Sequence, residues 1–173
     1  MSALVVLPGE GKSILPAGGG LGVIFKLYGE DSGGRFAVVE HPLGPGVLAA
    51  PMHVHRNEDE ASYILEGRVM VQIGDELIEA TTGTWVFKPR NIPHTFWNPG
   101  PGPARILEII SPAGFEHYFE ELAKLLAEGI PPDMSRLADL TQKYDLEMNM
   151  SSVPELLAKY GLSLGLDDSG RPG

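Results

Sequence analysis

A chain of 173 residues that is 43% apolar can bury one ordinary core and does not have the composition of a disordered polymer. Its net charge of −10 repels phosphate backbones and anionic lipid, which argues against nucleic acid and membranes as partners. With no cysteine it can form no disulfide, thiolate metal site or thiol nucleophile, so any metal must be held by nitrogen and oxygen.

The first 20 residues form an arm with a short strand; the apolar run at 3–7 precedes a Gly/Pro-rich stretch. No basic region precedes that run, and no stretch nears the ~20 apolar residues that cross a bilayer, so a cytoplasmic protein is expected. Val23, Phe25 and Leu27 alternate with less apolar types, the period of a strand. DSGG at 31–34 reads as a turn and RFAVVEH as the partner strand of a hairpin. From 46 to 110, short segments such as VLAAPMHVH, ASYILEG, RVMVQIG, HTFWN and ARILEII are each bounded by Gly, Pro, Asn or Asp. Val69, Val71 and Ile73 share one face, and GDE at 74–76 is a hairpin turn. Many short strands at this spacing predict a barrel or sandwich.

The last third changes period. Apolar residues at helical spacing predict a helix over 115–128, ended by Gly129 and Pro131-Pro132. A second helix, capped by Asp133 or Ser135, runs to about Lys143, and a third spans 153–160 after Ser151 or Ser152. Residues 164–173 read as loose. The expected organisation is an N-terminal arm at 1–20, an all-β barrel at 21–112 and a helical extension at 113–173.

The chemistry concentrates in two segments. His53 and His55 are two apart, so on a strand both imidazoles face the same way and can converge on one ion. Glu58 and Glu60 follow where the chain must bend, and His94 heads another strand after KPRNIP. Imidazole suits Zn, Cu, Fe and Ni, and a carboxylate tolerates Mn as well. Three imidazoles and one carboxylate leave open positions, which a catalytic metal needs.

From His53 the chain reads H-x-H, four residues to Glu60, then six to Gly67. From Gly83 it reads five residues to Pro89, then Asn91, His94 and Asn98. These stretches resemble the two motifs of the cupin superfamily. Gly46 stands one position early, and Asn91 replaces a motif glycine, a position that needs left-handed backbone, which Asn tolerates. The resemblance implies a jelly-roll β-barrel with metal ligands His53, His55, Glu60 and His94. It implies one divalent transition metal per chain (Fe, Ni, Mn, Cu, Co or Zn). Asn98 would be structural. The segments ASYILEGRVMVQIGDE and SPAGFEHYF are similar to small quercetin 2,3-dioxygenase-like cupins.

Other residues have plainer readings. Glu58 reads as a solvated loop carboxylate, and Glu116, Glu120 and Glu121 as a solvated helix face. His41 and His117 read as structural or solvent-facing. Phe25, Phe36, Trp85, Phe87, Phe96 and Trp97 read as core. The expected function is a metal-dependent dioxygenase acting on a small aromatic or enol-type substrate, with Glu60 as a catalytic base whose pKa burial raises. The alternatives are a non-oxidative isomerase, decarboxylase or lyase, and a binding module without catalysis. The expected partners are a small organic substrate, with or without O2, and a second copy in a homodimer, to whose sheet the arm could add a strand.

Overall fold

A computed structural model of the chain describes residues 4–16, 19–129 and 132–165. The strands are β1 (Lys12–Ile14), β2 (Val23–Leu27), β3 (Ala37–Leu43), β4 (Met52–His55), β5 (Asp59–Glu66), β6 (Arg68–Ile73), β7 (Glu76–Thr81), β8 (Trp85–Lys88), β9 (His94–Trp97), β10 (Ala104–Ser111) and β11 (Leu146–Asn149). The helices are α1 (Gly29–Ser32), α2 (Glu116–Ala127), α3 (Met134–Lys143) and α4 (Ser152–Tyr160). The strands form two antiparallel sheets, ordered β1-β2-β3-β10-β5-β8 and β11-β4-β9-β6-β7. This is a jelly-roll β-barrel with C-terminal helices.

Alternation builds the barrel. Along β10, Ala104, Ile106, Glu108 and Ile110 point inward while their neighbours point out. Ile64 of β5 is the ladder partner of Ile106, and both are buried. Each such side chain removed from water stabilises the fold by about 1.5–3 kcal/mol. One core cluster, including Leu43, Ile64, Val69, Val71 and Ile106, fills one part of the barrel. A second joins Val23, Phe25, Val39 and Ile110 to the helical extension through Phe115, Tyr118, Leu137 and Leu146. Trp97 stacks on Tyr160 at 4.5 Å and seats α4 on the five-stranded sheet.

The turn chemistry follows the sequence. Gly74 (φ 55°) and Asp75 join β6 to β7 in a two-residue hairpin. Asn91 adopts φ 66°, the left-handed conformation that its place in the motif demands. Asp133 caps α3 by accepting from the amides of Ser135 and Arg136.

Several expectations are corrected. The arm's strand is Lys12–Ile14, and Leu4, Val5 and Leu7 of the apolar run are exposed. It pairs with β2 of its own chain. Between β2 and β3 the chain makes a helical turn, α1, closed by Gly33 at φ 67°. The extension is not purely helical, because Leu146–Asn149 adds β11 to the sheet. Trp85, Phe87 and Phe36 are exposed, because they lie on outward-facing positions. Glu116 is fully buried, its carboxylate accepting from the amides of Gly29 and Gly114 at 2.8 and 2.6 Å. Residues 166–173 of the stretch read as loose lie outside the described residues. Among the described residues no helix is long and apolar enough to cross a membrane.

Candidate metal centre

His53 and His55 project from the same face of β4, and β4 pairs with β9 at His53 and His94. The third imidazole therefore arrives directly across the ladder. Glu60 comes from β5 in the other sheet, so the cluster bridges the two walls of the barrel. One donor atom from each of the four residues lies within 4.8 Å of all the others. His55 and His94 are each 1% exposed, Glu60 5% and His53 7%.

The ring nitrogens are sorted. Nδ1 of His53 lies 2.8 Å from the Pro51 carbonyl and Nδ1 of His94 lies 3.0 Å from that of Ile92. A carbonyl can only accept, so each Nδ1 carries the proton and each Nε2 is left with a lone pair. Nε2 of His94 is buried without a hydrogen-bond donor among the described residues and lies 3.2 Å from Oε2 of Glu60. A buried lone pair facing a carboxylate oxygen is costly, and a cation held between them would relieve it. Burial pushes the pKa values of His53 and His94 down, which keeps them neutral, as ligation requires. The donor set fits a divalent transition metal, and its identity is open.

A buried ion network supports the carboxylate. Lys88, 1% exposed, places Nζ 2.8 Å from Oε2 of Glu60 and 2.8 Å from Oε2 of Glu108. Ser62 donates to Glu108 at 2.9 Å. Burial alone would push the Lys88 ammonium down, but Glu108 and Glu60 outweigh it and keep Lys88 charged. Burial likewise pushes the Glu60 carboxyl up, and the Lys88 ammonium beside it overcomes this, holding Glu60 well below the usual carboxylate range. The raised pKa expected for a base at Glu60 is therefore absent, because a cation sits beside it. Glu108 is the raised carboxyl: burial pushes it up to about 7 against the pull of Lys88.

Three further placements differ from the sequence reading. Glu58 is not solvated but 7% exposed, with Oε2 3.6 Å from Nδ1 of His55. Alternation was the available signal, since Glu58, Glu60, Ser62 and Ile64 fall on one face and all are buried. His41 is a buried structural residue whose Nδ1 lies 2.9 Å from the Gly22 carbonyl. His117 lies 3.6 Å from Glu30 and 3.8 Å from Glu116, but both Glu116 oxygens already accept backbone amides. Asn98 is structural, bonding Leu43, Gly102 and the Gly100 amide.

A narrow cavity of about 40 Å3 adjoins His53, His55, Glu60 and Glu108. Its remaining walls are mostly apolar and include Phe96, Phe115, Phe119, Leu146 and Met148. Phe115 meets the His55 ring edge-on at 4.3 Å. No local sequence signal marked Phe115, Leu146 or Met148 as neighbours of the histidines.

Residues 40–110 match the family model of the cupin domain. An uncharacterised protein of Methanocaldococcus jannaschii is 35% identical over 66 residues, covering 38% of this chain and 50% of that protein. The chain thus spans half the length of that curated relative. KdgF from Halomonas sp. superposes with a TM-score of 0.55 at 13% identity, over 67% of this chain and 99% of that one. A predicted oxalate decarboxylase from Thermotoga maritima gives 0.56 at 23% identity, over 62% and 98%. A sugar phosphate isomerase from a cupin superfamily, from Silicibacter pomeroyi, gives 0.54 at 19%, over 62% and 75%. At such identities the likeness establishes the fold and leaves the reaction open.

Proposed function

The chain belongs to the cupin superfamily, and on that premise we propose that it is a cytoplasmic metal-dependent dioxygenase acting on a small aromatic or enol-type substrate, in the manner of quercetinase-like cupins. The observation that carries this reading is the buried His53, His55, Glu60 and His94 cluster beside a mostly apolar cavity. A bound divalent ion would supply a Lewis-acid centre with open positions for adjacent substrate oxygens and for dioxygen. The protein's own contribution is pre-organisation. Backbone carbonyls hold two of the rings with Nε2 free, and Lys88 keeps Glu60 ionised. Phe96, Phe115 and Phe119 exclude water, which strengthens every charge interaction inside. Apolar walls also suit dioxygen.

One observation favours a second reading, a non-oxidative decarboxylase, isomerase or lyase. Glu108 lines the same cavity with its pKa pushed up to about 7, so it can hold or release a proton near neutral pH. A homodimer belongs to the proposal as well. Its seat would be the outer face of the six-stranded sheet, where Trp85 and Phe87 are exposed.

The test is elemental analysis of the purified protein beside His53→Ala and His94→Ala, followed by oxygen-electrode assays with flavonols. The expected result is about one Fe, Ni, Mn, Cu or Co per chain, lost in both variants, and oxygen consumption. Zinc with no oxygen uptake would move the assignment to the non-oxidative reading. No metal after reconstitution would leave a binding module.

A further inference from the structure

The family match ends at residue 110, and segments C-terminal to it close over the cluster. β11 lies along β4 with Met148 opposite His53 and Leu146 opposite His55. Phe115 approaches His55 at the start of α2, and Phe119 lies one turn later. Together they bound the cavity of about 40 Å3. A water-sized body needs roughly 10–15 Å3 of such space, so there is room for a cation and a ligand of about two or three atoms. An aromatic ring does not fit, since pockets for organic ligands are roughly 300–1,000 Å3.

The two parts of this cover are held differently. α2 is anchored by buried Glu116 and by stacking of Phe115 on Tyr118 at 4.9 Å. β11 is a four-residue edge strand, laddered on one side only, to β4. Its side-chain ties to the loop after β4, Arg56 with Glu147 and Asn57 with Asp145, are exposed. An edge strand laddered on one side opens more readily than a central one, at the cost here of exposing Leu146, which packs in the core with Phe115 and Tyr118.

We infer that β11 is a displaceable cover that sets ligand size at the cluster. Ligands of two or three atoms enter with β11 in place, and a ring-bearing substrate enters only by displacing β11 from β4, with Met148 and Leu146 as the specificity-determining side chains. This rests on the metal-enzyme reading above.

Val54 and Glu147 are ladder partners on the outward positions, away from the cluster. The chain has no cysteine, so Val54→Cys with Glu147→Cys creates one possible disulfide. The protein is loaded with cobalt(II), its metal content is measured, and azide and catechol are titrated while the visible cobalt bands are followed. Reduced and oxidised forms are expected to bind azide alike, with catechol binding at least about tenfold weaker or slower in the oxidised form. Met148→Ala is expected to improve catechol binding by about tenfold. Equal catechol binding in the locked and reduced forms overturns the cover, as does a reduced form that binds azide but never catechol. Failure to take up cobalt is read before any ligand is added; it overturns the metal reading and the cover with it.

Discussion

Oε2 of Glu58 lies 3.6 Å from Nδ1 of His55, and neither atom has a hydrogen-bond partner among the described residues. For His53 and His94 the corresponding nitrogen faces a backbone carbonyl two residues earlier. Among the described residues Glu58 is the carboxylate on the Nδ1 side of His55, whose Nε2 faces Glu60 at 3.5 Å, and from there it can orient the ring and make it a stronger donor. Removing such a partner weakens metal binding by about 10–100-fold. Glu58→Ala should lose metal to a competing chelator correspondingly earlier while keeping its fold. An unchanged affinity would make Glu58 a bystander.

Lys88 is the only cation in contact with two buried carboxylates, Glu60 and Glu108, among the described residues. Lys88→Met leaves buried Glu60 without its counterion and should destabilise the metal-free protein by about 3–5 kcal/mol. Adding Glu108→Gln should recover part of that loss. Urea unfolding of the single and double variants measures the coupling, and strictly additive losses would contradict it.

His41 makes stability depend on pH. Burial pushes its pKa down to about 4, so below the ordinary value the unfolded chain takes up a proton that the folded chain does not. The contribution is complete above about pH 6.5 and is lost as pH falls towards 4, amounting to roughly 3 kcal/mol. His41→Gln should flatten that part of the stability profile. The same slope in the variant would assign it to other groups.

Trp85 and Phe87 are 57% and 61% exposed on edge strand β8, with Trp85 against Tyr63 at 4.8 Å. If this face seats a second copy, the wild type should sediment as a dimer, and Trp85→Ser with Phe87→Ser should shift it to monomer without loss of helix or sheet. A monomeric wild type would remove the dimer from the proposal.

The arrangement of strands and helices was largely legible because alternation and turn residues are local. Val69, Val71 and Ile73 marked one face, and Gly74-Asp75 marked a hairpin that the ladder reproduces. β11 was not legible. LEMN has no strong strand pattern of its own and becomes a strand by pairing with β4. Trp85 and Phe87 were misjudged because aromatic character suggests burial, whereas the side of the strand decides it.

The sequence by itself pointed to short strands in a barrel or sandwich, and its resemblance to the two cupin motifs named the jelly roll and the four candidate donors. Convergence of His53 with His55 follows from the two-residue period of a strand, and the spacings to Glu60 and His94 are carried by adjacent turns. Only the tertiary structure decided what surrounds them. Lys88 and Glu108 meet across two ladders of one sheet, and Met148 reaches His53 from the far end of the chain. Such contacts join residues distant in sequence. Their energies come from burial and from the pairing of charges out of water, which no local period encodes.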